Sequence, residues 1–282
     1  MKFERLLWAI LLLVFLLCGC VNQIPPAATE PAMSQSETVT ASPTETQDEK
    51  TPPDVREYAS IEGVVTAHSN TSCRIHLKNY CNNSADHSTY SLCIEVDTGS
   101  QVLKKVLDSQ AVMSPGGSLF LGDVDGDGIQ EILVHSDTGG LGGFGLWNTW
   151  VLKVDGNEIC VLFENFNEYD TGFQSRFLDG YQMEVTNRFT GYTFVFDVKE
   201  AHKEYIANSA ELPAGSILLD PFYVFEPADT DGDGISEILC KQYTHYRDHA
   251  DYTGTACSVL KFNTETQLFE VVDAWYEPNI EE

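Results

Sequence analysis

An eleven-residue acidic segment, written twice, constrains this chain more than any other feature. Asp123-Val-Asp125-Gly-Asp127-Gly-Ile129-Gln-Glu131-Ile-Leu133 recurs as Asp229-Thr-Asp231-Gly-Asp233-Gly-Ile235-Ser-Glu237-Ile-Leu239, identical at nine of eleven places and 106 residues apart. The likeness runs on: Trp150-Val-Leu-Lys153 matches Ser258-Val-Leu-Lys261, each followed by a turn and another apolar run. Each copy therefore reads as strand, acidic loop, strand, longer loop, strand, turn, strand, which is a four-stranded antiparallel meander.

The loop composition points to a hard cation. Calcium takes about six to eight oxygen ligands, and alternating Asp residues in a tight turn bring carboxylates inward at the first, third and fifth places. Glycines at 126, 128, 232 and 234 permit the backbone conformations that so small a ring needs. Ile129 and Ile235, at the seventh place, would offer carbonyls while their side chains enter the core, and Glu131 and Glu237 add a ninth-place carboxylate. One rival is a solvated hairpin turn built from Asp-Gly pairs. Another is an EF-hand, but that motif needs a bidentate Glu at the twelfth place and flanking helices. Here the twelfth places are Val134 and Cys240, and β-formers flank both loops.

Asp123 to Leu133 and Asp229 to Leu239 resemble the FG-GAP or VCBS-type repeat, in which a calcium loop joins the first two strands of a β-propeller blade. That resemblance implies two calcium sites. Their ligands would be the side chains of Asp123, Asp125, Asp127 and Glu131 in one loop, and of Asp229, Asp231, Asp233 and Glu237 in the other, with the carbonyls of Ile129 and Ile235. It also implies a propeller, although the family often has Asp at the ninth place and the motif covers only two of the blades.

The rest of the head is β-rich from about Tyr58, with short runs of β-formers broken by Gly, Asn and Asp turns. Helical periodicity is confined to two candidates, Leu103 to Val112 and Ala201 to Ala210. The fold class expected is all-β, with motif-bearing meanders near 118–166 and 222–275 and two loop-free segments of similar length, 61–108 and 173–219. Four such units make a small, about four-bladed propeller-like domain. An irregular β-sandwich carrying two calcium hairpins is the alternative.

The N-terminus reads as a processing signal. Lys2 and Arg5 precede an unbroken apolar run from Leu6 to Leu17, and Leu17-Cys18-Gly19-Cys20 resembles a bacterial lipobox. That run spans about 18 Å, short of a hydrocarbon core of about 30 Å. The resemblance implies residues 1–19 as signal peptide and Cys20 as the lipidated N-terminus. Residues 20–57, rich in Pro, Thr, Ser and Glu, read as a disordered tether because they have too little apolar surface to repay ordering. Residues 58–282 form the head, held by a lipid anchor at the extracytoplasmic face of the membrane.

Composition excludes one class of partner. The chain has 16 Lys+Arg against 43 Asp+Glu, a formal charge of -27, and nucleic-acid binding depends on clustered basic side chains. After processing, Cys73, Cys81, Cys93, Cys160, Cys240 and Cys257 remain, an even number suited to disulfides outside the cell. Cys240 ends the second strand of the second meander and Cys257 begins the third, so the pair is expected to face across the hairpin, as Val134 and Thr149 do in the first copy. The loop from Tyr243 to Tyr252, with His245, Arg247, Asp248, His249 and Asp251, reads either as a ligand-contact loop or as a solvated connection. Its counterpart, Ser136 to Trp147, is Gly-rich, with Phe144 and Trp147 as contact aromatics. No paired catalytic constellation is visible. The function expected is a surface lipoprotein with a calcium-stabilised β-domain that binds a protein or glycan. The alternatives are an extracellular polymer-acting hydrolase or lyase and a structural component of the cell envelope.

Overall fold

A computed structural model describes residues 55–67, 71–81, 90–111, 116–137, 147–165, 169–198, 218–245 and 252–279, all within the unit Lys50–Glu282. The segment read as signal peptide, Cys20 and the helix candidate at Ala201 to Ala210 lie outside these residues. The described part is all-β and forms four antiparallel sheets, each a meander of sequential strands. The first sheet holds β1 (Val55–Gly63), β2 (Cys73–Cys81), β3 (Tyr90–Asp97) and β4 (Val102–Ala111). The second holds β5 (Gly116–Gly122), β6 (Glu131–Asp137), β7 (Trp147–Asp155) and β8 (Glu158–Asn165). The third has three strands, β9 (Phe173–Leu178), β10 (Gln182–Asn187) and β11 (Thr193–Asp197). The fourth holds β12 (Leu218–Ala228), β13 (Glu237–His245), β14 (Tyr252–Asn263) and β15 (Leu268–Pro278).

Strand alternation decides how the sheets stack, because successive side chains leave a strand on opposite faces. From the second sheet, Ile132, Val134, Trp150 and Leu152 enter a core shared with Ile75, Leu77, Leu92 and Ile94 of the first. Their neighbours Leu133, Val151 and Phe163 point the other way, into a core with Phe222, Phe225, Ile238 and Leu260 of the fourth. The second sheet is thus covered on both faces, which explains the continuous apolar run Ile132-Leu-Val134. The fourth sheet is also covered twice, since Ala256, Ala274 and Tyr276 pack on Met183, Val185 and Phe196 of the third. Burying each of these large side chains contributes about 1.5–3 kcal/mol.

The packing order is therefore first, second, fourth, third. Both ends carry ion pairs. On the outer face of the first sheet Glu95 takes Lys78 at 2.6 Å and Lys104 at 3.5 Å, and on that of the third Arg176 meets Glu184 at 2.5 Å. Stacked antiparallel sheets fit a propeller-like arrangement and a sandwich alike. Among the described residues no core cluster joins the first sheet to the third.

Three expectations need correction. Leu103 to Val112 is not a helix: residues 102–111 form β4, paired with β3 through a register shift between Leu92 and Cys93. Strand β1 starts at Val55, inside the segment read as tether. Cys240 and Cys257 do not face each other, because Cys240 pairs with Ser258, and Cys257 with Lys241. A one-residue offset puts the two thiols on opposite faces. Cys240 lies in the core with the second sheet, whereas Cys257 sits beside Lys241 and Glu277, its pKa pushed by burial up to about 12. Both are free, as are Cys73, Cys93 and Cys160. The first copy has the same register, Val134 with Trp150 and His135 with Thr149.

Candidate metal centre

The acidic loops are the connections 123–130 and 229–236, closed by the pairs Gly122 with Glu131 and Ala228 with Glu237. Each is folded by its own carboxylates. Asp123 accepts from the N–H of Gly126 at 2.8 Å and of Gly128 at 2.9 Å, and Asp229 accepts from Gly232 at 2.7 Å and Gly234 at 3.1 Å. One oxygen of Asp125 and of Asp231 takes the N–H two residues on, at 3.2 and 3.1 Å. Asp127 and Asp233 do the same for Ile129 and Ile235, both at 2.8 Å. This winding requires positive φ at Gly126 (77°) and Gly128 (84°), and at Gly232 (80°) and Gly234 (87°), which glycine adopts without a Cβ clash.

Glu131 and Glu237 close the loops from beneath, at 0% and 1% exposure. Oε2 of Glu131 accepts from the Val124 N–H at 2.9 Å. Oε2 of Glu237 takes both the N–H (2.9 Å) and the hydroxyl (2.7 Å) of Thr230. The buried Oε1 of Glu131 accepts no hydrogen bond, whereas that of Glu237 takes the Lys261 ammonium at 2.8 Å. Burial pushes the Glu131 carboxyl up to about 7, with Asp125 adding to the shift. Burial pushes Glu237 the same way, but Lys261 and the extra Thr230 hydroxyl hold it below its ordinary value.

Carboxylate oxygens converge in each loop. Asp123, Asp125 and Asp127 each offer an oxygen, all within 4.8 Å of one another, and Asp229, Asp231 and Glu237 do so in the second loop. An all-oxygen set of clustered carboxylates has the chemistry a hard divalent cation requires. Ile129 and Ile235 are half-buried.

Sequence reading missed the partner of these oxygens. Lys153 Nζ, from β7, bonds Asp125 and lies 2.7 Å from Asp127 Oδ2 and 3.5 Å from Glu131 Oε1. Lys261 Nζ, from β14, lies 2.8 Å from Asp231 Oδ2, 3.0 Å from Asp233 Oδ2 and 2.8 Å from Glu237 Oε1. Burial opposes the Lys153 charge, yet Asp125, Asp127 and Glu131 raise its pKa above the ordinary lysine value. Asp231, Glu237 and Asp233 raise that of Lys261. The matching Val-Leu-Lys segments were the available signal.

The loops also touch each other. The Ser236 N–H donates to the Asp123 carbonyl at 2.7 Å, and Gln130, in the same eighth place, donates its N–H to the Val64 carbonyl at 3.1 Å. Val64 follows Gly63 at the end of β1 as Asp123 follows Gly122 at the end of β5. The connection after β1 thus holds the corresponding place in the first sheet, without the carboxylates. Ile235 lies over Gly126, where an added Cβ would come within 2.8 Å of its Cδ1.

Of the other candidates, Tyr243 stacks on Tyr223 with centroids 3.8 Å apart, and Tyr252 meets its edge at 5.4 Å. His245 is buried at the end of β13. Residues 246–251, including Arg247, Asp248, His249 and Asp251, lie outside the described residues, as does Phe144. Trp147 stacks on His135 at 4.3 Å. A cavity of about 440 Å³, lined by Tyr169, Asp170, Phe189, Phe269, Glu270 and Val271, opens where the third and fourth sheets meet.

Residues 171–277, which hold the third and fourth sheets, match the family model described as YybI C-terminal domain. The chain is 29% identical over 163 residues to the uncharacterized protein YybI of Bacillus subtilis (strain 168), covering 54% of this chain and 60% of that protein. The match therefore spans less than two thirds of the relative's length, and neither name assigns an activity. No solved structure matches.

Proposed function

We propose that this chain is a lipid-anchored protein of the extracytoplasmic face, whose stacked sheets carry two structural calcium sites and present a surface for a protein or glycan partner. One observation carries the calcium reading: two loops of nearly identical sequence each gather three carboxylate oxygens within 4.8 Å of one another, beside a fully buried glutamate. Repetition of that arrangement 106 residues apart argues against an incidental acidic turn. The anchor rests on the apolar run ending in Gly19-Cys20. A Cys20→Ser chain is expected to lose palmitate labelling and membrane fractionation.

Calcium that binds only the folded state stabilises it by RT ln(1 + [L]/Kd). Extracellular sites of roughly millimolar to 0.1 mM affinity would together add about 1–3 kcal/mol at millimolar calcium. The melting temperature of the purified full chain should therefore rise in calcium and fall with chelator. An unchanged value would leave the loops as acidic turns. The cavity beside Phe189, which is 52% exposed, supports the partner reading, since aromatic rings flanked by carboxylates suit sugar rings or polar side chains. Phe189→Ala should weaken capture on a glycan array or by surface-protein pull-down. The two carboxylates at its rim, Asp170 and Glu270, favour the second reading, a polymer-acting hydrolase or lyase. Turnover of a bound glycan, lost in Glu270→Gln, would select it.

A further inference from the structure

Four carboxylates in each loop offer eight oxygens, and most are already used by the loop itself. Asp123 spends both oxygens on glycine N–H groups, Asp125 and Asp127 spend Oδ1, and Glu131 spends Oε2. The remainder are Asp125 Oδ2, Asp127 Oδ2 and Glu131 Oε1, and all three face Lys153 Nζ. In the second loop the same remainder, Asp231 Oδ2, Asp233 Oδ2 and Glu237 Oε1, faces Lys261 Nζ. An ammonium is a compact charge with three donors on a flexible stem. It matches the three remaining oxygens in number and sits where a cation bound to them would sit.

Calcium would take these oxygens at about 2.3–2.6 Å, which leaves no room for Nζ at the same point. Ammonium and metal therefore exclude each other. We propose that Lys153 and Lys261 are tethered surrogate cations: each holds its loop closed when calcium is absent, withdraws when calcium binds, and so sets the affinity of its site. The flexible lysine stem makes withdrawal a matter of side-chain rotation, with β7 and β14 unmoved. This inference rests on the calcium reading of the same loops. It adds the residue that keeps the affinity low, so that the loops respond to calcium at extracellular concentrations.

The test compares the full chain with Lys153→Met, Lys261→Met and the double variant, in which methionine keeps the apolar stem and drops the charge. Calcium binding is followed by calorimetry and melting is followed in chelator. Each single variant should tighten one site at least about tenfold, the worth of a lost charge-assisted competitor, and should melt lower in chelator because its loop has lost its only internal counter-charge among the described residues. Unchanged or weaker calcium affinity in the variants, with the parent binding calcium, overturns the surrogate role and leaves the calcium sites standing. Absence of calcium binding by both parent and variants overturns the calcium reading itself.

Discussion

At the scale of single residues, the candidate site is a study in how few groups separate two nearly identical loops. Val124 and Thr230 occupy the same place, and the threonine hydroxyl gives Glu237 a donor that Glu131 lacks. Burial raises both carboxyls, and only at Glu237 do the closer Lys261 and the Thr230 groups outweigh it. The loop aspartates were legible in the sequence because their spacing is local. The lysines were not, because they enter from a strand more than twenty residues away, and only the fold says that Val-Leu-Lys ends beneath the loop. A buried histidine makes a separate residue-scale prediction. His135 donates Nε2–H to the Phe222 carbonyl at 2.8 Å, tying the second sheet to the fourth, and burial lowers its pKa below 6.5 despite Asp137 nearby. The unfolded chain then takes the proton first, so this group's contribution is fully present above about pH 6.5 and is lost as pH falls below it. Denaturant midpoints of the parent should drop through that window more than those of His135→Gln, which retains a donor for Phe222. Parallel curves would remove His135 from the pH dependence.

At the scale of elements, turn residues marked the meanders well, since Gly and Asp punctuate the strands of the first, second and fourth sheets. Leu103 to Val112 misled because Val102 and Val106 are exposed at 60% and 48% on an edge strand, and a register shift interrupts its alternation. Apolar residues at 102, 103, 106 and 107 then mimic helical spacing. Cysteine pairing failed for a related reason: a one-residue offset is invisible in sequence but changes the face. What the strand pattern could not reveal is that the two loops abut. Gly126 lies under Ile235, whereas Gly232, equally left-handed in backbone, has nothing within 4 Å of an added Cβ. Gly232→Ala should therefore cost only the backbone penalty, about 1 kcal/mol. Gly126→Ala should cost about 1–3 kcal/mol more, through overpacking against Ile235. Chemical denaturation of both variants measures the difference, and equal losses would mean that the loops do not bear on each other.

At the scale of the whole molecule, the four sheets stack in the order first, second, fourth, third, with three apolar cores between them and ion pairs on the outer face at either end. The all-β class was readable from composition and turns, but the stacking order was not, because it depends on which face of each sheet meets which neighbour. The first and second sheets, and the second and fourth, are joined at the loop level by the same backbone bond, Val64 with Gln130 and Asp123 with Ser236, so the two acidic loops sit side by side at one edge of the stack. In a chain of charge -27, divalent cations bound there would relieve repulsion where carboxylates are densest. Native mass spectrometry of the full chain in calcium tests this most directly. Two calcium ions per chain are predicted, one in Asp125→Ala, one in Asp231→Ala and none in the double variant. A parent mass unchanged by calcium, or a double variant that still carries two ions, would contradict it.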